Sequence, residues 1–126
     1  MLKLEEQINQ LAKAVSRLGE SLALPKTDIV RDSAIQRFEF CLDLSWKTLK
    51  TYLEENKGII VKSPKETFRI AYQQGVIEYD TKWLSLVDLR NETVHTYNEA
   101  FAEEVYNQLS PALDLLKTLS SKLNQR

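Results

Sequence analysis

The sequence predicts an all-α fold, an antiparallel bundle of four long helical stretches with one extra short helix. Three observations lead there. Glycine and proline number only 3 each among 126 residues, so the chain has few places to break. Apolar residues recur at alternating steps of three and four, which keeps them on one face of a helix. The stripes are separated by short segments rich in helix start and stop signals, and short loops fold successive helices back antiparallel. No internal repeat, low-complexity segment or linker interrupts the pattern. A single domain over residues 1–126 is therefore expected, a length that suits one core.

The first stripe is Leu4, Ile8, Leu11, Val15, Leu18 and Leu22, with Glu5, Glu6, Lys13 and Arg17 opposite. Pro25 disfavours helical geometry at Leu24, and Thr27 or Asp28 then caps the next helix. That second helix is expected over residues 28–56, with Ile35, Phe38, Leu42, Ser45, Leu49 and Tyr52 as its stripe. Phe40, Cys41, Leu44, Trp46 and Leu53 flank the stripe, so this helix is apolar around much of its girth. Such a helix is central, or packs on a partner chain as well as on its own. Lys57 and Gly58 end it. Ser63, Pro64 and Glu66 form a start signal with capping-box spacing. The short helix that follows carries Phe68, Ile70, Ala71 and Tyr72 and stops at Gly75. Asp80 caps a fourth helix through Trp83, Leu84, Val87 and Arg90. The last helix is expected to start at Thr96 or Asn98 and to carry Val105, Leu109, Ala112, Leu116, Leu119 and Leu123. Pro111 should kink or restart it, with Ser110 as a local cap.

Composition narrows the function classes. Apolar residues are 43% and charged residues 28%, the balance of a soluble globular protein. The net charge of −1 offers no overall attraction to nucleic acid or anionic membrane, so any nucleic-acid contact needs a local patch or symmetry-related copies. The single cysteine, Cys41, excludes an intrachain disulfide and a multi-cysteine metal site. Among Phe38, Phe40 and Leu42 it reads as a small buried hydrophobe. No apolar run reaches the ~18 residues of a membrane span, and no leader precedes the first helix, so a cytoplasmic protein is expected. There is no glycine-rich phosphate loop, no His-Cys-Asp metal cluster and no nucleophile elbow. Neither a metal nor a cofactor is expected. Paired metal-binding aspartates on strands are missing too, which argues against nucleotidyl transfer by this chain itself.

One stretch combines chemistries that no other window does: Arg90-Asn91-Glu92-Thr93-Val94-His95-Thr96-Tyr97. It holds the only histidine of the chain. Arginine brings a charged fork suited to phosphate, and histidine a group able to move protons near neutral pH. Together they supply what phosphodiester cleavage needs without a metal, a cation for the phosphorane and a proton carrier. Arg90 and Tyr97 share a face if the helix is continuous. His95 lies about 140° round from Arg90 on an ideal helix, so the two converge only if the helix ends or tightens there, or if each reaches across to a second subunit. Acid and base work together would use two histidines, which a two-fold dimer provides. A lone histidine at a helix end also reads as a cap or an interface residue. Asn91 and Thr93 read as builders of the corner. Glu39 and Asp43, one turn apart on the second helix, either orient Arg90 or emerge on a solvated face. Trp46 and Trp83 read as core.

Three blocks in order along the chain make the sequence similar to a known family. They are the motif at residues 90–97, the segment from Arg31-Asp32-Ser33 through Trp46-Lys47-Thr48-Leu49, and Ser63-Pro64-Lys65-Glu66. The sequence resembles the nucleotidyltransferase substrate-binding protein family, a branch of the HEPN superfamily, over nearly its whole length. The resemblance implies an up-and-down four-helix bundle that forms a homodimer, and a small minimal nucleotidyltransferase as cognate partner. It also implies two possible functions. In one, the helical protein is a metal-independent RNA endonuclease of a toxin-antitoxin pair, silenced when its partner adenylylates the motif tyrosine. In the other, it is a non-catalytic subunit that binds substrate or nucleotide for the nucleotidyltransferase. Arg90 and His95 match the defining pair of the superfamily, and Tyr97 the added tyrosine of its toxin-like branch. The first function is therefore favoured, with Arg90 and His95 catalytic, Tyr97 modified, and Asn91, Thr93 and Glu39 supporting. A purely structural role as a dimeric scaffold is the third reading.

Overall fold

The computed structural model describes residues 2–125. Among these the protein is all helical, with no strand. Six α-helices and one 3₁₀ turn follow in order: α1 (Leu2–Ala23), α2 (Asp28–Lys57), α3 (Pro64–Gln73), α4 (Thr81–Glu92), the 3₁₀ turn Thr93–His95, α5 (Glu99–Tyr106) and α6 (Leu109–Asn124).

Helix α2 is the axis of the structure. Its 30 residues span about 45 Å at the usual rise, and it packs against α1, α3, α4, α5 and α6. Its buried residues, including Ile35, Phe38, Cys41, Leu42, Leu49 and Leu53, lie along one broad face. The girth-wide burial expected from the sequence is not reached, since Phe40 is exposed and Leu44 and Trp46 are only partly buried. Ser45 and Thr48 lie in that buried face and donate to the carbonyls of Cys41 and Leu44 at 2.7 and 2.6 Å, so neither hydroxyl is left without an acceptor. Helix α1 buries its stripe from Leu4 to Leu18 against α2 and α6. The rings of Phe68 and Trp83 stack 4.8 Å apart and join α3 to α4. Trp46 is only half-buried, with the Lys50 ammonium over its ring.

Most helix ends follow the sequence signals. The Thr27 hydroxyl accepts from the Val30 N–H, and Gly58 closes α2 at a φ of 66°, a conformation that costs glycine least. Ser63 accepts from the Glu66 N–H, and Asp80 from the Thr81 N–H. Two details differ from expectation, and a third decides between two offered caps. The Glu66 carboxylate reaches back to the Lys62 N–H instead of the cap residue's own. Asn98, not Thr96, caps α5 by accepting from the Phe101 N–H. The last helical stretch is two helices, broken at residues 107–108 rather than at Ser110. Gln108 occupies the cap of α6, and Ser110 is already inside the helix. Pro111 then lies in the first turn of α6, where its missing N–H has no intrahelical partner to lose. Among the described residues no helix is long and apolar enough to cross a membrane.

Candidate functional site

The corner between α4 and α5 is built by threonines. Helix α4 ends at Glu92 and the chain tightens into the 3₁₀ turn. The buried Thr93 donates its hydroxyl to the Arg90 carbonyl at 2.7 Å, and Thr96 donates to the Thr93 carbonyl at 2.8 Å. The Asn98 N–H then reaches the His95 carbonyl at 3.1 Å. Thr93 thus shapes the corner as the sequence suggests, while Asn91 stands exposed beside Arg90.

Arg90 is held from α2. Its Nε and Nη2 donate to the two carboxylate oxygens of Asp43, each at 3.1 Å. Its Nη1 faces Glu39 at 3.5 Å and the Thr93 hydroxyl at 3.4 Å. The two acidic residues therefore orient Arg90, with Asp43 the principal partner. Hydrogen bonding to Asp43 holds the Arg90 guanidinium above its ordinary pKa, and the charges of Asp43 and Glu39 add to this. A bidentate pair fixes the plane of the guanidinium and turns Nη1 toward Glu39 and Thr93 at longer distances.

His95 sits exposed on the 3₁₀ turn. Its ring meets Phe101 of α5 edge to face at 6.4 Å and Tyr97 at 6.2 Å. Tyr97 is 83% exposed. Because the helix ends, Tyr97 stays beside His95 instead of sharing a face with Arg90. Among the described residues no hydrogen bond joins Arg90 to His95; they occupy successive turns of one corner. An open recess of about 440 Å³ borders it, lined by Gln36, Glu39 and Phe40 of α2 together with Thr96 and Tyr97. Cys41 stays out of this chemistry. Burial pushes its thiol up to about 12, which leaves it protonated and a poor nucleophile at neutral pH.

A second charged cluster escaped the sequence reading. Arg31, in the second turn of α2, is 2% exposed. Its Nη1 donates to Glu99 at 2.8 Å and to Glu103 at 3.0 Å, and its Nε to Asp32 at 3.0 Å. Lys26 also pairs with Glu103. The hydrogen bonds to Glu99, Glu103 and Asp32 raise the Arg31 pKa, and those from Lys26 and then Arg31 hold the Glu103 carboxyl below its usual range. The local signal was an arginine flanked by Asp28 and Asp32. Its partners on α5 lie 68 and 72 residues away, beyond any periodicity argument.

Helices assembled on one central helix, with a carboxylate-held arginine and a histidine and tyrosine on the following corner, define an all-helical protein with an Arg-x4-His-x-Tyr corner. The chain belongs to the family described as "Nucleotidyltransferase substrate binding protein like", whose model matches residues 5–125. It is 36% identical over 106 residues to a Haemophilus influenzae protein named "Probable ribonuclease HepT", covering 78% of this chain and 73% of that one. A crystal structure from Thermus thermophilus matches with a TM-score of 0.84 at 36% identity, over 90% of this chain and 98% of the other. A Haemophilus influenzae structure, described as revealing the fold of a substrate binding domain of a nucleotidyltransferase, matches with a TM-score of 0.68 at 28% identity, over 96% of each chain.

Proposed function

We propose that this protein is the helical partner of a minimal nucleotidyltransferase, acting in the cytoplasm as a metal-independent RNA endonuclease that its partner silences by adenylylating Tyr97. The observation that carries this reading is the corner itself, where an arginine held by two carboxylates precedes a histidine whose ring lies 6.2 Å from an 83% exposed tyrosine. Residues 1–126 act as one domain. Counting α5 and α6 as one leg, α1, α2, α4 and that leg make an up-and-down four-helix bundle, with α3 as the extra short helix.

The chemistry follows from the residues. His95 takes the proton of an RNA 2′-hydroxyl. The 2′-oxygen bonds to phosphorus, the bond from phosphorus to the 5′-oxygen breaks, and an imidazolium protonates the leaving 5′-oxygen. Arg90 offers Nη1 to the phosphorane oxygens. The products carry a 2′,3′-cyclic phosphate and a 5′-hydroxyl. One chain has one histidine, so the second proton carrier comes from the mate in a two-fold dimer. Phe40, 53% exposed on α2, stands between two open recesses, a ridge beside hollows that suits self-complementary packing. Adenylylation joins the Tyr97 oxygen to the α-phosphorus of ATP and releases pyrophosphate. The added phosphate places an anion on the corner and competes with RNA for Arg90.

The test is to purify the protein with and without its partner nucleotidyltransferase, then to measure RNA cleavage and intact mass. Chelator-resistant cleavage that His95→Ala abolishes, and an added AMP on Tyr97 that Tyr97→Phe prevents, are expected. The likeness to a structure described as a substrate binding domain supports a second reading, a non-catalytic substrate-binding subunit. No cleavage and no added mass, with nucleotide bound tightly by the complex, would establish that reading instead.

A further inference from the structure

The corner is registered on α2 at two points. Asp43 holds the arginine side. The histidine side is carried by the 3₁₀ turn that continues α4 and also rests on α5, where the His95 ring meets Phe101 edge to face. Helix α5 has eight residues, too few to be stable alone, so its place depends on what ties it down. Ala102 and Val105 are buried beneath it, but apolar contacts fix an element's position less sharply than directional hydrogen bonds. The directional ties are Arg31 to Glu99 and Glu103, bracketing Phe101 on either side in sequence, with Lys26 as a second donor to Glu103. Arg31 and Asp43 are twelve residues apart, about 18 Å along a single helix, so α2 acts as the ruler for both halves of the site.

We propose that Arg31 is a positioning residue of this site: by clamping Glu99 and Glu103 to α2 it fixes, through Phe101, where the His95 ring stands relative to Arg90. This rests on the corner being the cleavage site. Lysine would keep the charge at Arg31 but could not bridge Glu99, Glu103 and Asp32 from one planar fork. A shift of α5 by about 1 Å is enough to cost about 10²-fold in rate when proton transfer needs close alignment.

The experiment compares the wild-type protein with Arg31→Lys. Because His95 is the only histidine, its ring resonances are unambiguous by NMR, and the ring-to-ring nuclear Overhauser effect to Phe101 reports the geometry directly. Arg31→Lys is expected to stay helical, to lose that effect, and to lower kcat by about 10²-fold with KM unchanged. If Arg31→Lys does not fold, Glu99→Gln/Glu103→Gln, which neutralises two solvent-accessible partners, carries the same measurement. A folded variant that keeps the His95–Phe101 effect and wild-type kcat overturns the proposal. If the wild-type protein cleaves no RNA, the cleavage reading falls, while the effect between the rings still decides whether Arg31 positions His95.

Discussion

Arg90 has two obligations. It completes a bidentate pair with Asp43 and still presents Nη1 toward Glu39 and Thr93. Only a guanidinium meets both, because its donors are fixed in one plane. Arg90→Lys supplies one ammonium, which pairs with Asp43 and leaves nothing aimed at a phosphate. Cleavage is expected to fall by about 10²-fold or more, the usual loss when one donor to a developing anion is removed. Single-turnover kinetics, with circular dichroism to confirm that the fold persists, would check this. Activity at the wild-type level would remove Arg90 from the mechanism.

At the scale of elements, α5 is the piece whose placement is most electrostatic. Glu103 accepts from Lys26 and Arg31, and those hydrogen bonds hold its carboxyl below the ordinary value. A carboxyl with a depressed folded pKa contributes stability that is complete above its unfolded value of about 4.3. That contribution is lost as pH falls through the lower folded value, because the folded state then binds its proton last. Glu103→Gln is therefore expected to melt below the wild type at neutral pH. The difference should shrink as pH drops below about 4. Thermal denaturation followed by circular dichroism at several pH values measures it, and a gap that stays constant into acid would show that the ion pairs do not hold α5.

For the whole molecule, the charge balance sets a condition on function. The net charge is −1, and Arg90 at the corner and Arg31 against α5 are both committed to carboxylates. On the proposed reading a single copy offers RNA little free positive charge, and a two-fold assembly would bring two Arg90–His95 corners to one site. Phe40→Asp places a charge on the exposed ridge of α2 without touching the core. Light scattering is expected to show a homodimer for the wild type and a monomer for Phe40→Asp, with RNA cleavage lost alongside. A wild-type monomer at micromolar concentration would remove the shared site.

The sequence by itself determined which segments are helical and where most of them begin and end. Those properties are local: stripes at steps of three and four, Thr27, Ser63 and Asp80 at the starts, Gly58 at a stop. It also singled out residues 90–97 as the candidate site, because arginine, histidine and tyrosine crowd into eight positions. Tertiary structure decided the rest. Whether Asp43 faced solvent or Arg90 depended on how α2 meets α4, a contact across 47 residues. Arg31 found its carboxylates only once α5 lay on α2, across 68 residues. The choice of Asn98 over Thr96 as the cap followed from the same corner, since the 3₁₀ turn spends the Thr96 hydroxyl on the Thr93 carbonyl. Local spacing fixes which face a side chain occupies, but which charge meets it there depends on contacts between segments far apart in the chain.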